Sequence, residues 1–119
     1  MAMGAELLER GIELLDDVDL DSLSETELHE LTIATQRLGD RLAAVSASIV
    51  ARWDASGVWA GDGSRAAGAR LARETSSAKR TADAMLRRAR ALATMPATCA
   101  AARAGVLSID QVDLLIDAN

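Results

Sequence analysis

The stretch GSRAAGARLARETSSAKRTADAMLRRARALA, residues 63–93, reads as a short helix, a tight turn and a second, strongly basic helix. Hydroxyl side chains stand where helix starts call for caps: Ser64 ahead of Arg65, Ser76 or Ser77 ahead of Ala78 and Lys79, and, further on, Ser108 ahead of Ile109. Each hydroxyl can accept a bond from a backbone N–H that has no partner inside its helix. In the second helix, Ser76 to Leu92, the residues Ala78, Ala82, Met85, Leu86, Ala89, Leu92 and Ala93 share an arc of roughly 120° at about 100° per residue. That arc is the predicted buried face. Lys79, Arg80, Arg87 and Arg90 lie opposite, Arg88 flanks them, and Asp83 is the only acid among them.

A basic helix that follows a short helix and a turn is the arrangement with which helix-turn-helix proteins enter a DNA groove. Contact of Lys79, Arg80, Arg87, Arg88 and Arg90 with phosphates is therefore one reading, with DNA expected ahead of RNA. A solvated helix face and a protein-binding face are the others. Charge distribution bears on the choice. The net charge of −5 hides a strong segregation: residues 1–31 carry −9, residues 32–62 balance, residues 63–103 carry +7 and residues 104–119 carry −3. Polyanion binding responds to the local field more than to the total. The acidic N-terminal arm, residues 1–22, is expected to compete weakly with phosphate for the basic helix when near contact is made.

Upstream, Ser24-Glu25-Thr26-Glu27 has the pattern of a capping box and opens a long helix over residues 25–56. Its apolar positions alternate by three and four through Leu28, Leu31, Thr35, Leu38, Leu42, Val45 and Ile49, with Trp53 closing the series. This is a heptad seam about three heptads long. Packing inside the domain and self-association as a homodimer both satisfy it. His29 beside the seam has no cysteine, second histidine or motif around it, so an exposed helix histidine is expected rather than a ligand. Earlier still, Leu7, Leu8, Ile12, Leu14 and Leu15 predict a helix over residues 3–17, and the acids from Asp16 to Asp21 read as a linker.

Between the long helix and the basic region lies Gly57-Val58-Trp59-Ala60-Gly61-Asp62-Gly63, read as a turn in which Trp59 fills the junction. It lacks the Gly-Lys-Ser/Thr of a phosphate-cradling loop. Downstream, Pro96 suits the first turn of a helix over residues 96–104, and Gly105 suits the left-handed position after it. A last helix over residues 109–118 carries Val112, Leu115 and Ile116, and an apolar face still running at Asn119 suggests a truncated gene product, a fragment or the front part of a longer protein.

Composition agrees with an all-α fold: one long helix and a bundle of short helices containing the helix-turn-helix-like pair over residues 64–92. Ala and Leu favour helix, and without Phe or Tyr and with only two Trp the core of residues 23–119 is expected to be thin. There is no apolar run of membrane-spanning length and no basic signal-peptide start, so a cytoplasmic location is expected. The single cysteine, Cys99, lies in an alanine-rich stretch and reads as a small buried residue. No metal-ligand set, cofactor motif or catalytic constellation is present, and no enzyme activity of its own is expected.

One ordered set of motifs is more specific than any of its parts. It comprises Trp59-Ala60-Gly61-Asp62-Gly63-Ser64, then Leu71-Ala72-Arg73-Glu74-Thr75, Met95-Pro96-Ala97-Thr98 and Ala104-Gly105-Val106-Leu107-Ser108. Over about residues 25–119 the chain resembles the actinobacterial family called domain of unknown function 222, although Arg70 stands where many members carry tryptophan. The resemblance implies a helical region placed ahead of an HNH endonuclease domain, and hence a DNA-directed nuclease or mobile-element context. The histidines and asparagine that such a nuclease needs around its metal are not in this sequence.

Overall fold

The computed structural model describes residues 3–119, and these are helical with no strand among them. The α-helices are α1 (Met3–Asp16), α2 (Glu25–Ser56), α3 (Ala67–Thr75), α4 (Lys79–Ala93), α5 (Pro96–Arg103) and α6 (Ile109–Ala118). Single 3₁₀ turns cover Leu20–Ser22 and Val58–Asp62. The chain divides into two compact units, Met1–Ala34 and Thr35–Asn119, and α2 contributes to both.

In the first unit no described residue is buried. Leu7, Leu8, Ile12, Leu14 and Leu15 of α1 are all exposed. The Asp19 side chain accepts from the Asp21 N–H and starts the 3₁₀ turn. The capping box read at Ser24 forms in both directions. Ser24 N–H donates to Glu27 Oε1 at 2.9 Å and Glu27 N–H donates to Ser24 Oγ at 3.1 Å, and the bond from the Ser24 backbone holds the Glu27 carboxyl below the usual carboxylate range. Reciprocal bonds of this kind satisfy donors that a helix start leaves open.

The second unit holds the whole buried core, and alanine dominates it. Ala44 and Ala47 of α2 meet Ala89 and Leu92 of α4, Ala102 of α5 and Val112 of α6 in one cluster, with Ala67, Ala82 and Leu86 buried between α3 and α4. Small side chains let helices approach closely, but each removes little apolar area from water. The predicted buried face of α4 is correspondingly narrower than its arc. Ala82, Leu86, Ala89 and Leu92 are buried, whereas Ala78, Met85 and Ala93 are exposed.

Helix boundaries follow the sequence reading in places and depart from it in others. Pro96 does stand in the first turn of α5, Gly105 adopts φ 84° after it, and Ser108 forms a capping box with Gln111 at the start of α6. Ser64, Ser76 and Ser77 do not cap helices. The residues before α3 and α4 are Ala66 and Ala78, neither with a side-chain bond. Ser64 instead closes a turn on Asp62, to whose Oδ1 its N–H donates at 3.0 Å. Ser76 ends α3 in the left-handed conformation, φ 54°, and its N–H and that of Ser77 satisfy the last carbonyls of α3. A hydroxyl marks a helix start only if the chain ahead of it is extended; here competing local bonds win.

Val112 is the largest fully buried side chain among the described residues, while Leu114, two positions on, is 69% exposed. Val112→Ala is expected to lower the unfolding free energy by about 2 kcal/mol and Leu114→Ala by a few tenths at most. Urea titrations followed by far-UV circular dichroism measure both.

Candidate functional site

α3 and α4 form the helix pair read in residues 64–92, joined by residues 76–78. Gly68 makes their close approach work: a Cβ there would overlap the Asp83 carboxylate, and Leu86 lies just beyond. The outer face of α4 carries the expected cations, but carboxylates from elsewhere in the fold reach most of them. Lys79 pairs with Asp83 at 2.8 Å and Arg87 with Asp117 at 2.6 Å, both between exposed groups. Arg88 makes two bonds to Asp113, at 2.9 and 2.8 Å, and Arg90 makes two to Asp54, at 2.8 and 3.0 Å.

These last two pairs are two-bonded, Arg88 being the more covered of the two arginines at 23% side-chain exposure against 60% for Arg90. Bidentate guanidinium–carboxylate pairs are the strong, directional kind. Arg88 is half-buried, and its bonds hold the Asp113 carboxyl below the usual range while Asp113 raises Arg88. Arg90 lowers Asp54 in the same way, and Asp54 retains only 18% of its side-chain exposure. Arg88 thus ties α4 to α6, and Arg90 ties α4 to α2. Arg80 has no ion pair among the described residues.

A second ionic group locks α3 to the 3₁₀ turn before it. Asp62 receives Arg70 at 3.0 Å and also Arg73, and the Ser64 hydroxyl bonds the same carboxylate. Arg70 further donates to Glu74 at 2.9 Å and to the Trp59 carbonyl at 3.3 Å. Ser64 hydrogen bonding is the leading cause that takes Asp62 down to about 2, with Arg70 and Arg73 adding to it. Trp59 is half-buried between α2 and α3, its indole N–H donating to the Asp54 carbonyl at 2.9 Å. The indole, Arg65, Gly68, Asp83, Leu86, Arg87 and Arg90 line an open cleft of about 530 Å³.

The α2 seam lies elsewhere. Within the second unit, Leu38, Leu42, Val45 and Ile49 are 54%, 43%, 37% and 65% exposed. At about 100° per residue they fall on the side of α2 opposite Ala44 and Ala47, the residues that join the core. In the first unit Leu28 is exposed and Leu31 half-buried, and His29 is exposed. Cys99 is half-buried with Sγ 3.6 Å from Ser48 Oγ. No group of three or more His, Cys, Asp or Glu among the described residues could hold a metal ion, and no described helix is long and apolar enough to cross a membrane.

Asp54, Asp113 and Asp117 were outside the sequence-predicted set because they lie 25 to 36 positions from their partners. The only local signal was the acidic content of the last helix.

The fold and its ion pairs define an alanine-cored helical domain with a paired α3–α4 unit. A family model described as domain of unknown function (DUF222) matches residues 26–118, and the chain belongs to that family. No curated protein and no solved structure matches it.

The folded-state values of Asp54, Asp62 and Asp113 are depressed, so their stabilisation is present above the ordinary value of 3.8 and is lost as pH falls through the folded values, down to about 2 for Asp62. Thermal melts between pH 5 and pH 2 should show a falling midpoint, and Asp62→Asn should flatten the most acidic part of the curve. Arg88→Ala should cost on the order of 1 kcal/mol at neutral pH, and less at the acid end where Asp113 is protonated.

Proposed function

We propose that this chain is a non-catalytic helical association module whose interface is the apolar seam of α2, acting in a DNA-directed, HNH nuclease-type setting. The observation that carries the reading is the orientation of the seam. Leu38, Leu42, Val45 and Ile49 are turned away from the core, to which α2 contributes the buried Ala44 and Ala47 with Val50 and Ala51 packed beside them. A contiguous apolar stripe left in water marks an interaction surface. Its heptad spacing fits an apolar helix face laid along it.

A second reading, nucleic-acid contact, is supported by the cleft with Arg65, Arg87 and Arg90 in its lining, and by Arg80, which has no ion pair among the described residues. The pairs of Lys79 and Arg87 are solvent-exposed, and such pairs are weak enough for phosphates to displace. Arg88 and Arg90 are committed to their two-bonded pairs, so Arg65, Lys79, Arg80 and Arg87 carry this reading. DNA is the polyanion it favours.

Leu38→Asp tests the association reading. Because Leu38 is exposed, the variant should keep its circular dichroism and melting behaviour while analytical ultracentrifugation shows the wild-type oligomer reduced to monomer. A monomeric wild type, or an unfolded variant, would sink it. For the second reading, fluorescence anisotropy with duplex DNA should show Arg80→Ala and Arg87→Ala weakening binding equally across sequences, each lowering the salt slope by roughly one unit.

A further inference from the structure

We propose that the cleft beside Trp59 binds a single unpaired nucleotide unit, its base against the indole and its phosphate on Arg65 and Arg87. The inference deepens the nucleic-acid reading, on which it rests where the unit belongs to a strand, and it is independent of the α2 seam. The cleft lies within the second unit and takes its walls from the 3₁₀ turn Val58–Asp62, the start of α3 and the face of α4.

One residue fixes two of these walls. The Asp54 carbonyl accepts the Trp59 indole N–H at 2.9 Å, and the Asp54 carboxylate holds Arg90 through two bonds. A flat aromatic wall and a guanidinium are thus in place before a ligand arrives, and binding to groups already ordered loses less free energy to ordering them. The other cations are available. Arg65 is exposed and makes no ion pair among the described residues, and the Arg87 pair with Asp117 joins groups that are 69% and 59% exposed. Exposed pairs of this kind are weak enough for a phosphate to displace. Asp83, the acid in the lining, is taken by Lys79 at 2.8 Å.

The cleft's size and chemistry select the ligand. Its volume of about 530 Å³ is that of a site for a small organic molecule. An indole beside arginines matches a flat ring that carries a negative charge, and a nucleotide has both parts. Stacking on an aromatic side chain accepts any base, because every base has a π-face. In a duplex both faces of a base are covered by its neighbours, so an indole in a concave site reaches a base only when it is unstacked. A free mononucleotide presents the same chemistry.

Fluorescence of Trp59 reads the contact. Trp53→Phe leaves Trp59 as the only indole, and a base stacked on it quenches its emission. The probes are oligothymidylate, its duplex with oligoadenylate, dTMP and thymidine, added to the full chain once circular dichroism has shown native helicity. Oligothymidylate and dTMP should quench saturably, with thymidine and the duplex weaker by about tenfold or more. Arg65→Ala should weaken both quenchers by about tenfold, whereas Arg80→Ala, outside the lining, should leave dTMP unchanged. A strand that binds more tightly than dTMP makes the source an unpaired nucleotide of a nucleic acid, and a strand that binds no more tightly makes it a free mononucleotide. Quenching that thymidine matches, or that Arg65→Ala leaves unchanged, overturns the site. Duplex binding that depends on Arg80 and Arg87 without quenching overturns the site and leaves the nucleic-acid reading standing. No binding of any probe overturns both. Should Trp53→Phe unfold the chain, anisotropy of fluorescein-labelled oligothymidylate with the native sequence and with Arg65→Ala makes the same comparison.

Discussion

The contact on which the second unit depends is the meeting of Ala44 and Ala47 with Ala89, Leu92, Ala102 and Val112. Small side chains allow α2, α4, α5 and α6 to come together, and they also limit what the contact can contribute. Of the nine buried apolar residues described, six are alanine. With so little area removed from water, the relative placement of the helices needs directional help. Two-bonded arginine–aspartate pairs supply it, from Arg90 to α2 and from Arg88 to α6, and the Asp62 group does the same for α3.

This division of labour explains the surface. The large apolar residues of α2 are not needed inside, because the alanine face already meets the core, and so Leu38, Leu42, Val45 and Ile49 remain in water. The arginines of α4 follow the opposite course. A helix that reads as strongly cationic becomes a face whose charges are partly cancelled by Asp54 of α2 and by Asp113 and Asp117 of α6. The charge that counts for a polyanion is therefore much smaller than the +7 of residues 63–103 suggests, which moves the weight of the functional reading from α4 to α2.

Two glycine-rich or serine-rich junctions show how local chemistry is redirected by context. Arg70 reaches from α3 to Asp62 and to the Trp59 carbonyl, so an ionic bridge ties α3 to the turn before it. Ser76 takes a left-handed conformation that glycine would adopt more easily, because the turn from α3 to α4 requires its N–H to close the end of α3.

The sequence by itself determined the helices: the alternation from Leu28 to Ile49, the capping boxes at Ser24 and Ser108, Pro96 and Gly105 are all local signals, and helix formation obeys local rules. It also determined which side of α2 is apolar. What it could not determine is which side of α2 faces the core. Periodicity predicts that large apolar residues go inward, whereas close helix approach selects Ala44 and Ala47, and only the packed arrangement weighs one against the other. The pairing of Arg90 with Asp54 and of Arg88 with Asp113 was illegible for the same reason. Residues 25 to 36 positions apart meet only after the helices have been placed, and nothing in their local sequence records that meeting.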